Sequence, residues 1–222
     1  QSFFDTHPQH NHYRAFLYYA LAKVNGYFGN ISATVNYYNK SISLLKDAHD
    51  VNHIPRISMR MANILFIVND YVHIKSIIDT LLEQKESLDA ETLFEIYLMK
   101  SAISASEGDY EVAHIAMENA NKEKKNLHTE NKNWAMENLI ASKYYLSINN
   151  LDSALCYADK AVKSSILKDD YATDNINKDF YYRNLADVYF AAGKFELAAQ
   201  TYKNASNNHL YGATISSNAV NK

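Results

Sequence analysis

Apolar positions in this chain recur at helical spacing, in paired segments separated by a short polar break. The clearest pair lies between Tyr182 and Ala205. With Gly193 as zero, Leu185, Ala186 and Tyr189 lie eight, seven and four residues before it. Phe195, Ala198, Tyr202 and Ala205 lie two, five, nine and twelve after it. Such spacing puts one apolar stripe on each of two helices and a break between them. Small residues stand where the helices must approach closely, and aromatics fill the space between.

The same pattern occurs four more times, centred on Gly29, Asn69, Gly108 and Asn149. Successive centres are 40, 39, 41 and 44 residues apart, a period too regular for chance matches. Each centre is Gly or Asn, the residue types that best tolerate a left-handed conformation at a helix end. The pattern predicts a first helix ending near Phe28 and a partner over about 31–48. Thr6 and Pro8 are placed to start the first helix, Pro55 fits the first turn of the third, and Asp89 with Glu91 fits the start of the fifth. Repeats are expected at about 15–54, 55–93, 94–134, 135–178 and 179–206. A lead-in over 1–14 precedes them, and a tail over 207–222 follows that reads as the start of a further helix. The stretches 121–133 and 168–177 read as connectors. The fold expected is all-α, five antiparallel helix pairs stacked as a solenoid.

Composition narrows this picture. Gly (5) and Pro (2) are scarce among 222 residues, which suits long helices. A net charge of −3 gives no electrostatic footprint for nucleic acid. No apolar run is long enough to span a membrane, so no insertion by this region is expected. The single cysteine, Cys156, excludes an internal disulfide and is expected to pack as a small hydrophobe. Tyr is abundant, at 18 residues.

The segments LADVYFAAGKFELAAQTYKNA (185–205), YYLSINNLDSALCYADKAV (144–162) and YFGNISATVNYYNKSI (27–42) carry a small–aromatic–Gly–aromatic–Ala order. That order resembles the tetratricopeptide repeat, a family of right-handed superhelices built from repeats of about 34 residues. The resemblance covers about 14–206 and is strongest in the first and last two repeats. The longer period is similar to that of sensor regions in bacterial transcriptional regulators and histidine kinases, and of peptide-pheromone receptors. It implies the sensing region of a larger bacterial signalling protein, on the extracytoplasmic (periplasmic) side of a membrane, with the cytoplasm as the alternative. An end at Lys222 before any output domain fits that expectation.

Motifs for catalysis are missing: there is no GxGxxG, P-loop, HExxH, GxSxG or CxxC. No enzyme activity, cofactor or metal is expected, and His7, His10 and His12 read as a polar lead-in. The remaining candidate surface is the concave groove, lined by the first helix of each pair. Its expected residues are Tyr19, Lys23 and Tyr27 in the first pair and Arg56, Met59, Arg60, Asn63 and Phe66 in the second. Lys143 represents the fourth, and Phe180, Arg183, Asn184 and Asp187 the fifth. Asn pairs both donors and acceptors of a peptide backbone, and Arg clamps a carboxylate, so the expected ligand is a peptide or protein. The alternative reading is a self-associating scaffold or assembly adaptor, including a homodimer, because a short array exposes apolar end faces.

Overall fold

In a computed structural model, residues 10–127, 134–167 and 178–205 are described, and they are helical with no strand among them. The helices are α1 (Asn11–Tyr27), α2 (Ile31–Asp47), α3 (Ile54–Ile67), α4 (Tyr71–Leu82), α5 (Ala90–Ser106), α6 (Tyr110–Lys124), α7 (Ala135–Ser147), α8 (Leu151–Leu167) and α9 (Asp179–Ala191). A further helix, α10, covers 195–205, and a short 3-10 turn covers Lys85–Ser87. The expectations for Thr6, His7 and Pro8, for the connector segments 128–133 and 168–177, and for the tail 207–222 lie outside the described residues. The predicted start points at Pro55 and Asp89 are where α3 and α5 begin, and Asp89 accepts a hydrogen bond from the Thr92 amide at 2.7 Å.

One device ends a helix and starts the next at each repeat centre. Gly29, Asn69, Gly108, Asn149 and Gly193 have φ of 74°, 58°, 85°, 58° and 71°. In the first turn the Gly29 amide donates to the Gly26 carbonyl at 3.0 Å and the Asn30 amide to the Asn25 carbonyl at 2.9 Å. This Schellman pair of bonds satisfies carbonyls that the helix end leaves open. The second bond recurs from Asp70 to Leu65, Asp109 to Ser104, Asn150 to Tyr145 and Lys194 to Tyr189. The same residue then caps the following helix. Asn30, Asp70, Asp109 and Asn150 accept from the amides of Ala33, His73, Val112 and Ser153 at 3.1–3.3 Å. Lys194, in the fifth turn, has no acceptor to offer.

The chain divides into two compact units, Gln1–Leu88 and Asp89–Lys222. In the first, α1 packs on α2, α2 on α3 and α3 on α4. In the second, α5 packs on α6 and α7, α7 on α8 and α9, and α8 on α9. The repeat offsets explain which residues go inside. Seven residues before every turn stands a buried side chain: Ala22, Ala62, Ser101, Ser142 and Ala186. Five after it stand Thr34, Ile74, Ala113, Ala154 and Ala198, all buried. Small side chains there let helices close on each other. A Cβ on Gly26 would lie 3.6 Å from the Thr34 and Ile64 side chains, so α1 has little space at that point. Ser41 donates to the Ala15 carbonyl at 2.8 Å in the buried α1–α2 seam.

Three expectations are corrected. Cys156 is exposed, because its position seven after the turn faces away from the buried offsets. Phe195 is exposed as well, since the first residue of a helix sits at the rim of the turn, as it does at Tyr110 of α6. Phe195 instead packs edge-on to Phe190 at 5.4 Å. Tyr202 is partly exposed and turns its hydroxyl outward to Asp187.

Candidate functional site

In the first unit, the expected groove residues separate into open and closed positions. Tyr27 and Arg56 are exposed, and Tyr19, Lys23 and Arg60 are partly buried. Met59, Asn63 and Phe66 are core side chains, at 1, 4 and 1% exposure. The reason is that α3 is buried without interruption from Met61 to Phe66, so its second face is closed as well as its first. What remains is a surface of aromatics and cations. The Lys23 ammonium stands 5.8 Å from the Tyr19 ring, a cation–π contact within one helical turn. Beside it Tyr18 and Tyr37 stack at 5.9 Å, with Lys40 over both rings at 5.5 and 5.7 Å. No acidic residue occurs from His10 to Lys46.

At one end of this unit, Asp50 is held between two imidazoles. His12 Nδ1 lies 3.0 Å from its carboxylate and His53 Nδ1 2.8 Å. The hydrogen bond with His53, and the nearby charge of both histidines, hold the Asp50 carboxyl below its usual range. Phe16 packs edge-on to both rings, at 4.9 and 5.1 Å. The clasp joins α1 to the α2–α3 connection, and it accounts for His12 as a packing group.

In the second unit, Lys143 and Asp187 occupy the same offset, six residues before their turns, on α7 and α9. Burial of the Lys143 ammonium leaves its pKa below the usual lysine range, and the Asp187 charge opposes this only in part. Tyr202 on α10 donates its hydroxyl to Asp187, which pushes the phenol up to about 12. Lys143, Asp187 and Tyr202 thus form a polar constellation from three helices. Arg183 is exposed and 3.9 Å from Asp179, and Phe180 is partly buried. Asn184 belongs to the core instead, at 3% exposure. It donates to Ser142 Oγ at 2.9 Å, and Ser142 donates to the Ala154 carbonyl at 2.9 Å. That chain ties α9, α7 and α8 together.

Sequence reasoning missed two features of this unit. One is the outward role of Tyr202, whose offset of nine after the turn is a buried one at Tyr38, Ile78, Met117 and Ala158. The other is a set of buried acids, Glu95, Glu137 and Asp179, one on each of α5, α7 and α9. Their signal was a charge 12 to 14 residues before each turn, at Glu95 inside the apolar run Leu93–Phe94–Glu95–Ile96–Tyr97. Near Glu137, the Lys124 ammonium sits 5.7 Å from the Phe94 ring and 5.6 Å from Trp134, themselves 5.5 Å apart. Burial lowers the Lys124 pKa first, the Lys160 charge adds to this, and Glu137 opposes it.

Among the described residues, no group of three or more His, Cys, Asp or Glu is placed to hold a metal ion. Nor is any helix among them long and apolar enough to cross a membrane. No protein family, curated protein or solved structure matches the chain.

Proposed function

We propose that the chain is a non-catalytic protein- or peptide-binding module, an array of antiparallel helix pairs of the tetratricopeptide kind. The observation that carries this reading is the turn device found at all five repeat centres, with the same offsets buried around it. Repeated helix pairs with constant packing are the local requirement for a solenoid. A second point supports it within one unit. Residues at equal or nearby offsets on α7 and α9 interact, as Lys143 does with Asp187 and Ser142 with Asn184. That is the register expected of successive repeats.

The binding residues under this proposal are the exposed Arg183, Asp187 and Tyr202 and the partly buried Lys143. Lys143, Asp187 and Tyr202 offer a cation, an anion and a hydroxyl within one patch, with Arg183 beside it. Such a set suits the alternating donors and acceptors of an extended peptide and a ligand carboxylate. The role within a larger bacterial signalling or regulatory protein rests on the resemblance of the repeats alone.

Selection of a random peptide library on the purified chain tests the reading. Enriched peptides should bind at least tenfold more weakly to a Lys143→Ala, Asp187→Ala double variant that retains its helical circular dichroism. If the library yields no peptide, or only peptides indifferent to that variant and to Arg56→Ala with Arg60→Ala, the assignment is wrong.

A further inference from the structure

One face of α1 is apolar and open. Tyr13, Leu17, Val24, Tyr27 and Phe28 are exposed at 69, 50, 51, 50 and 51%, and Ala20 between them is exposed too. Positions 13, 17, 20, 24 and 27 advance by four, three, four and three. This is the seam spacing of two helices packed along each other. Across the helix from it lie Ala15, Ala22 and Gly26, which α1 buries. The helix therefore has two apolar faces, and its own unit covers one.

We propose that a second copy of this chain covers the other, α1 packing on α1 of the partner subunit about a twofold axis at Ala20. The seam is close to self-complementary about that residue. The smallest side chain stands at the crossing point, where the backbones come nearest. Leu17 and Val24 stand three and four residues away, and Tyr13 and Tyr27 seven residues away on either side. An isologous interface needs a patch that matches itself after rotation, and this order provides one.

Charge selects the antiparallel arrangement. The cations beside the seam are Arg14 and Lys23. A parallel pair would level each with its own copy, whereas the antiparallel pair sets them at different heights. The area is sufficient for a reversible dimer. The exposed parts of the five large side chains sum to on the order of 500 Å² per copy, so the pair would bury roughly 1,000 Å², near the lower bound for a specific interface.

The proposal is independent of peptide binding in the second unit and shares only Tyr27 with the expected groove. Sedimentation velocity on the full chain, followed from roughly 1 to 500 µM, should show the reversible dimerisation of a small, transient interface. Leu17→Glu with Val24→Glu should abolish the dimer and leave helicity unchanged. In a Cys156→Ser background, Ala20→Cys should form a covalent dimer on mild oxidation, while Asn36→Cys on α2 should not. A wild-type chain that is monomeric throughout, or a dimer that survives both seam substitutions, would overturn the proposal. So would a monomer whose α1 face instead binds an acidic amphipathic peptide, the other occupant that the surrounding cations would attract.

Discussion

Helices α1 and α5 have the same length, 17 residues each, and end in the same Schellman turn capped by the next residue. Their surroundings differ completely. Three residues of α1 are buried: Ala15, Ala22 and Gly26. In α5 twelve are, including every residue from Thr92 to Met99. Both sequences are apolar around most of the helix, so composition does not separate them. The difference comes from neighbours. In its unit α5 packs on both α6 and α7, while α2 is the main neighbour of α1. A repeat code writes one helix end and one packing stripe into every pair. What covers the opposite stripe depends on the place of the pair in the chain.

The largest effect should come from exchanging the same kind of substitution between the two helices. Ile96 and Leu17 are both aliphatic and both on a first helix, but Ile96 is 0% exposed and Leu17 half exposed. Ile96→Ala should cost about 3 kcal/mol, the loss of a buried side chain plus the cavity it leaves. Leu17→Ala, measured at a concentration low enough to keep the chain monomeric, should change stability by less than about 0.5 kcal/mol. Urea denaturation of both variants checks this. Equal losses would mean that α1 is covered in the monomer, and the contrast between the helices would fail.

How much of this was legible in the sequence follows from the same contrast. The turns were, because a left-handed backbone position restricts residue type strongly. All five centres picked out by Gly or Asn have positive φ. His49, with φ of 55°, repeats the conformation at the end of α2 and was not picked out, since it stands at no repeat centre, although His is among the non-glycine residues enriched there. The packing stripes were legible because Ala, Ser and Thr recur at fixed offsets from each turn. The candidate site was less so. Its residues were found by subtracting the packing stripe from each first helix, which assumes that the remaining face is open. For Tyr27, Arg56, Arg183 and Asp187 it is. For Met59, Asn63, Phe66 and Asn184 a second layer of packing closes it, and a single helix's pattern carries no record of that layer.

A smaller effect tests that second layer directly. Asn184 joins α9 to α7 through Ser142, and both groups are buried. Asn184→Ala removes a donor and leaves the Ser142 hydroxyl without that contact, a loss of about 1–2 kcal/mol. A groove residue in open solvent would lose nothing measurable. Thermal unfolding of Asn184→Ala beside Arg183→Ala, its exposed neighbour, separates the two cases. If the Arg183 variant proved the less stable, Asn184 would not be the link between these helices.

The smallest effect concerns the local code itself, which the comparison of α1 with α5 holds constant. Four of the five turns place Asn or Asp immediately after the left-handed residue, and each caps the following helix. The fifth places Lys194 there, and a lysine has neither an acceptor for the open amides of α10 nor a charge suited to a helix N-terminus. Lys194→Asp supplies both, and should stabilise the chain by about 0.5–1 kcal/mol. The direction is the informative part. The gain should appear as a shift of the urea midpoint with an unchanged slope, because only the start of α10 is altered and not the area buried. Asp109→Lys, which makes the reverse exchange before α6, should cost a similar amount. If the two exchanges did not oppose each other in sign, the turns would not be equivalent copies of one device, and the difference between α1 and α5 could no longer be assigned to their neighbours alone.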